Sequence, residues 1–136
     1  MSAPPLRYLI DTGWVIRHLR GRAEYTKRLV ALAPLGLAVS VVTLAELLEG
    51  VERSSDPGRA RVALNAFIAG VHVLPAAENT ARAFGELSAK MRAAGNHPGD
   101  FDVLIAATAI EHGLIVLTTD VDDFSRFPDL EIITAP

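Results

Sequence analysis

The stretch from Gly99 to Asp120 constrains the fold more than any other part of the chain. It opens with the acids Asp100 and Asp102, runs through an apolar block, stops at Gly113, resumes as the apolar run Leu114 to Leu117 and ends on Asp120. This pattern predicts a helix, a turn and a buried strand. Asp100 has the side chain of an N-cap, Phe101 to His112 suit a helix buried on every side, and Gly113 suits the left-handed position that ends it. Leu114 to Leu117 is short and bounded by turn residues, as in a strand covered on both faces. A helix feeding a strand of a parallel sheet runs antiparallel to it, so the helix's first turn lies beside the strand's carboxyl end. Asp102 and Asp120 are therefore expected to meet.

The rest of the chain repeats the same alternation. Leu6 to Ile10 reads as a first strand closed by Asp11-Thr12-Gly13, and Trp14 to Leu19 starts a helical pattern broken at Gly21. Glu24 to Ala33 is an amphipathic helix with Leu29, Val30 and Leu32 expected inward, ended by Pro34-Leu35-Gly36. Leu37 to Ser40 is a second strand, Val41 to Val51 a helix carrying Glu46, and Ser54 to Gly58 a loop. Then follow a helix near Arg59 to Ala69, a strand Val71 to Leu74, and a long helix from Ala76 to Ala94. After the central stretch, Phe124 to Pro128 is irregular and Glu131 to Thr134 is a last strand. Strands alternating with helices predict an α/β fold, a three-layer sandwich with a central parallel sheet.

Composition sets the remaining bounds. The chain has 136 residues, of which 50% are hydrophobic, enough for one compact domain spanning residues 1–136. It has no cysteine, which excludes a disulfide framework and thiolate metal sites and points to a reducing compartment. The opening Met1-Ser-Ala-Pro-Pro lacks the charged and apolar regions of a signal peptide. Its longest apolar tract, Ala31 to Ala45, is interrupted by Pro34 and Gly36 and is too short to span a bilayer, so a cytoplasmic protein with no membrane association is expected. A formal net charge of −3 argues against nucleic-acid binding through bulk basic charge. Local binding of phosphate, through metal ions and a few arginines, remains open.

In open parallel sheets, ligands bind outside the carboxyl ends of the strands. Asp11 ends the first strand, Asp120 follows the fourth, Asp102 stands in the first turn of a helix that starts at the same edge, and Glu46 lies within two turns of the second strand's end. Four acids from four segments should converge. Unpartnered carboxylates in a crowd repel and raise one another's pKa, and a shared divalent cation removes that conflict. An oxygen-only donor set without His or Cys suits Mg²⁺ or Mn²⁺ better than zinc. Such a site fits phosphate chemistry, in which the metal acidifies and orients a water and stabilises charge on the scissile phosphate.

Each acid also has a purely structural reading. Glu46 stands three residues after Thr43, a capping-box spacing, although Ser40 serves equally well as the cap. Asp102 suits the positive end of a helix dipole, and Asp120 suits a turn. Asp11 is hardest to explain in this way, because an acid directly after a buried strand costs desolvation unless it has a partner. Their conjunction is stronger than any single member.

Four motifs carry a family resemblance: Tyr8-Leu-Ile-Asp-Thr12, Ser40 to Gly50, Asp102 to Ala109, and Leu117 to Phe124. In this order and spacing they resemble the PIN-domain ribonucleases, and most of all the VapC-type toxins of bacterial and archaeal toxin–antitoxin systems. The resemblance implies a central parallel sheet of about five strands, Mg²⁺- or Mn²⁺-dependent endonuclease activity on RNA, a homodimer, and inhibition by a cognate antitoxin. By motif match, Asp11, Glu46 and Asp102 take the places of the family's first three acids. Asp120 takes the fourth, where the family accepts Asp or Asn. Thr12 and Thr118 match hydroxyl positions beside the metal site, and Asp123, preceding Phe124, matches a supporting position. Asp100 departs from the pattern. At i, i+2 from Asp102 it turns away from it and reads as a cap, while Asp122 reads as facing solvent.

The remaining candidates are weaker. His18, His72, His97 and His112 lack metal-ligand spacing, although His97 lies in a loop near the expected site. Arg17, Arg20, Arg22, Lys27 and Arg28 form either a solvated helix face or a phosphate track beside the cleft. Apolar faces around Leu29 to Leu32 and Leu44 to Leu48 serve either the core or a groove for a partner helix. Two other functions compete with the nuclease: a non-catalytic binding module of the same fold, and an aspartate-nucleophile phosphohydrolase built on Asp11. The latter wants a second Asp two residues on, where this chain has Gly13.

Overall fold

The computed structural model describes residues 5–136. The opening Met1 to Pro4, part of the segment read above as lacking a signal sequence, lies outside the described residues. Five parallel strands form one sheet in the order β3-β2-β1-β4-β5. They are β1 (Tyr8–Ile10), β2 (Leu37–Ser40), β3 (His72–Leu74), β4 (Ile115–Leu117) and β5 (Ile132–Ile133). The helices are α1 (Thr12–Leu19), α2 (Ala23–Leu32), α3 (Val41–Glu52), α4 (Pro57–Ile68), α5 (Glu78–Ala93), α6 (Asp100–His112) and the short α7 (Val121–Phe124). Among these described residues, no helix is long and apolar enough to cross a membrane.

Alternation along the strands builds the two halves of the core. Tyr8 and Ile10, Leu37 and Val39, and Ile115 and Leu117 face one layer, where Trp14, Leu29, Leu47 and Leu64 of α1 to α4 cover them. Leu9, Ala38 and Val116 face the other, against Met91, Val103, Ala106 and Phe124 of α5 to α7. Each central strand is thus buried on both sides, which is why it reads as a continuous apolar run. The result is the expected three-layer sandwich.

Three local readings are corrected. Val30 is 69% exposed, because the inward stripe of α2 is Leu29 and Leu32, three residues apart, and the next residue points about 100° away. Asp100 does not cap α6. The cap position is Gly99, at φ +134, and Asp100 is the first helical residue, exposed and paired with Arg92 at 3.4 Å. Helix α6 is buried all round only through its middle, since Phe101 and Ile110 near its ends face solvent. One helical turn at Val121–Phe124 sinks Phe124, the first residue of the segment expected to be irregular, into the core, and residues 125–128 are irregular as expected.

Candidate metal centre

The carboxyl ends of β1 and β4 lie side by side, tied where the Asp11 N–H donates to the Leu117 carbonyl at 2.8 Å. That places Asp11 and Thr118 directly above the two strands. The Thr118 hydroxyl, fully buried, donates to Asp11 Oδ2 at 2.8 Å and accepts the Asp120 N–H at 3.0 Å. One side chain therefore orients the first acid and the loop bearing the fourth. Asp120 then caps α7, its Oδ1 accepting the Asp123 N–H at 3.0 Å. This single turn brings Asp123 back over Asp120, while Asp122 points to solvent as expected.

The first turn of α6 delivers Asp102 to the same edge. Carboxylate oxygens of Asp102, Asp120 and Asp123 all lie within 4.8 Å of one another, a spacing one cation can bridge. Asp11 and Glu46 stand outside this triplet. Asp11 is close enough for its charge to act on both Asp102 and Glu46. Glu46 accepts a hydrogen bond from Thr12 Oγ1 at 2.9 Å, across from α3 to α1. Its capping reading is set aside, because Ser40 is the cap of α3 and accepts the Thr43 N–H at 3.0 Å. The four predicted acids thus share one edge, but only Asp102 and Asp120 belong to the tight group. Its third member is Asp123, which the resemblance places only in a supporting position, and Asp120-x-x-Asp123 is a capping spacing visible in the sequence.

Electrostatics show that this group is held against its own repulsion. Burial, then a hydrogen bond shared with Asp123, then the negative charges of Asp11, Asp123 and Asp120 raise the Asp102 carboxyl from 3.8 to about 7. Burial also raises Asp11, against the lowering effect of Thr118 and of the α1 amide of Thr12, and with a further push from Asp120. Glu46 is raised by burial, lowered by Thr12, and raised again by Asp11 and Glu49. All the charges acting on these three carboxyls are negative. An all-carboxylate donor set short of positive charge fits a hard divalent cation.

The neighbours complete the picture. Arg126 pairs with Asp123 at 3.5 Å. His97 is not aimed at the site, since its Nε2 meets Ser88 Oγ at 2.9 Å and its Nδ1 accepts the Gly99 N–H at 3.2 Å, fixing the loop before α6. Arg20, Arg22, Lys27 and Arg28 are exposed, and Arg17 is folded back over the edge of the sheet. Beside Glu46, an apolar groove of about 260 Å³ runs between α1, α3 and α4, lined by Ile16, Leu19, Leu47, Val51 and Leu64.

Comparison with known proteins agrees with this architecture. The PIN domain pattern matches residues 8–130. The chain is 38% identical over 125 residues to Ribonuclease VapC19 of Mycobacterium tuberculosis, covering 90% of this chain and 96% of that one. It is 29% identical over 127 residues to the tRNA(fMet)-specific endonuclease VapC of Salmonella typhimurium, covering 93% and 96%. Among solved structures, VapBC2 from Rickettsia felis bound to a DNA fragment from its promoter superposes with a TM-score of 0.89 at 25% identity, covering 94% of this chain and 98% of that one. DNA-bound VapBC from Salmonella typhimurium superposes at 0.88 and 28% identity, covering 94% and 97%. The chain belongs to the PIN-domain family and, within it, to the VapC ribonuclease branch.

Proposed function

We propose that the protein is an endoribonuclease toxin that hydrolyses RNA phosphodiester bonds with Mg²⁺ or Mn²⁺ held by Asp11, Glu46, Asp102 and Asp120. Asp123 joins them as a further oxygen donor. The observation that carries this reading is the Asp102–Asp120–Asp123 triplet, whose oxygens lie within 4.8 Å of one another although burial and then the neighbouring acids raise the Asp102 carboxyl to about 7. A fold maintains such a conflict where function needs it. When bound, a divalent cation supplies positive charge for the phosphate and a water more acidic than bulk water. The chain's own residues supply placement. Thr118 fixes one Asp11 oxygen and Thr12 one Glu46 oxygen, leaving each carboxylate its other oxygen. A helix N-terminus stands behind both Asp11 and Asp102, favouring their ionised forms against burial.

RNA as substrate is supported by relatives named as a ribonuclease and as a tRNA-specific endonuclease. An antitoxin partner is supported by the VapBC neighbours and by the apolar groove, which Glu46 joins to the acid edge. A segment lying in that groove would end against the acids. The same reading takes the chain as a single PIN-like nuclease domain, cytoplasmic, and a homodimer.

The test is cleavage of a mixed RNA pool by antitoxin-free protein with Mg²⁺, with Mn²⁺ and with chelator, beside Asp102→Asn. Metal-requiring cleavage that disappears in the variant is expected. Equal cutting by both proteins, or cutting in chelator, would overturn the proposal. A phosphorylated Asp11 trapped on the wild type would establish the aspartate-nucleophile chemistry instead.

A further inference from the structure

Among the described residues, Arg17 stands out as an arginine that is fixed in place yet pairs with no carboxylate. Its Nη1 donates to the Gly13 carbonyl at 3.2 Å and to Thr119 Oγ1 at 3.4 Å, and its Cζ stands 5.8 Å from the centre of the Tyr25 ring. Gly13 is two residues past Asp11 and Thr119 is one before Asp120. The guanidinium therefore bridges the ends of β1 and β4 at the rim of the acid group. Gly13 makes room for it: a Cβ there would stand 2.5 Å from Thr119 Oγ1 and 3.3 Å from Arg17 Nη1.

Elsewhere, anchored arginines are neutralised. Arg53, Arg61, Arg82, Arg92 and Arg126 each pair with a carboxylate, Arg126 with Asp123 of the acid group itself. Among the described residues no carboxylate lies within ion-pair distance of Arg17, and its Nε and Nη2 donate to none of them. That edge of the guanidinium is a free, planar two-donor fork, the geometry that takes a phosphate or carboxylate bidentately. Two anchors and an aromatic ring already restrict the side chain, so a further contact orders little more of it.

The acid edge shows which anion it takes. A cation shared by the carboxylates answers the charge of one phosphate, but RNA brings the next phosphates to the same rim, against a wall of acids. A fixed positive charge there offsets that repulsion and sets the strand's path. We propose that Arg17 binds a backbone phosphate of the RNA flanking the cleaved linkage. This rests on the nuclease reading above.

The test uses full-length Asp102→Asn, so that RNA is bound and not cut, alone and combined with Arg17→Gln, Arg17→Lys or Arg82→Gln. Arg82 pairs with Glu78 near the start of α5, whose Thr80 bonds Glu111 at the far end of α6 from Asp102, so it serves as a remote control. Binding of a single-stranded RNA that the wild type cuts is measured over a series of salt concentrations. Arg17→Gln should weaken it about tenfold, the value of one charge-assisted contact, and flatten the slope of log K against log salt by about 0.7. Arg17→Lys should keep the slope, and Arg82→Gln should change neither quantity. In the otherwise wild-type enzyme, Arg17→Gln should raise KM about tenfold and leave kcat within about twofold. Should Arg17→Gln not fold, Arg17→Met keeps the apolar stem and reads the same slope. An unchanged slope refutes the proposal, as does a loss confined to antitoxin binding, which would make the fork a carboxylate receptor for a protein partner. A wild type that cuts no RNA with any metal defeats the nuclease reading itself, whereas one that cuts while the slope stays put defeats only the role of Arg17.

Discussion

Asp102→Asn should make the metal-free protein more stable at neutral and alkaline pH, although it removes a central acid of the proposed site. In the folded chain this carboxyl is raised from 3.8 to about 7, by burial first, then by the hydrogen bond with Asp123 and the charges of Asp11, Asp123 and Asp120. In the unfolded chain it returns to the ordinary value. Between those two values the folded state binds more protons than the unfolded one, so stability falls as pH rises through the window. The penalty is absent below about pH 4 and complete above about pH 7. The gap corresponds to about 4 kcal/mol before screening. Asp102 is only partly buried, and solvent reduces the figure to about 1–2 kcal/mol. Asparagine carries no charge at any pH, and its amide donates to Asp123 as the protonated acid does.

The assay is urea unfolding of both proteins in chelator, from about pH 4 to about pH 8. They should nearly coincide at the acid end, and the variant should lead by about 1–2 kcal/mol at the alkaline end, roughly 3–6 °C in Tm. Excess Mn²⁺ should reverse the order, because the wild type gains the binding free energy of the cation. A stability difference that does not change with pH would refute the argument, since the Asp102 carboxyl would then not be raised in the folded chain by burial and its acidic neighbours.

Three further outcomes follow from the same geometry. Apparent Mn²⁺ affinity of the wild type should rise about tenfold per pH unit up to about pH 7 and then level off, as Asp102 gives up its proton; calorimetry that found it flat would contradict the coupling. Thr118→Val removes one hydroxyl with two partners, Asp11 Oδ2 and the Asp120 N–H, so it should cost about 2 kcal/mol in urea and move the pH–activity profile to higher pH, while Thr118→Ser retains both. Gly36→Ala should cost about 2–3 kcal/mol, because φ is +99 and the new Cβ would meet the Pro5 carbonyl and stand 2.8 Å from Leu6 Cα; thermal unfolding reads this directly.

Asp11, Asp102 and Asp120 were legible because each sits at a strand end or helix start that short-range pattern identifies, and parallel topology then places those ends on one edge. Glu46 was legible as a member of the edge but not in its range. On α3 it faces Thr12 of α1, and how far one helix leans from the next depends on packing across the layer. Asp123 was set apart from Asp122 by the Phe124 that follows it, as the resemblance implies, but not as a member of the tight group. What places it there is the single turn α7, fixed when Phe124 enters the core beside Phe127, and that contact is invisible to a local pattern. Val30 failed for a simpler reason. Adjacent apolar residues on a helix compete for one stripe, and Leu29 takes the inward place.

Helix α1 carries two surfaces, and separating them is a sharp test of the partner reading. Thr12 and Arg17 turn toward the acid edge, whereas Ile16 and Leu19 line the groove with Leu47 and Leu64. Ala63 of α4 also lines that groove, is itself exposed, and occupies a helix position where arginine costs little. Ala63→Arg should therefore leave folding, Mn²⁺ affinity and RNA cleavage unchanged while placing a bulky charge where an apolar segment would lie. Inhibition by the cognate antitoxin should weaken at least about tenfold, the effect of about 1.4 kcal/mol lost from one well-packed contact. If the antitoxin inhibits the variant as well as the wild type, the groove is not its docking site, and the partner must reach the acid edge by another face.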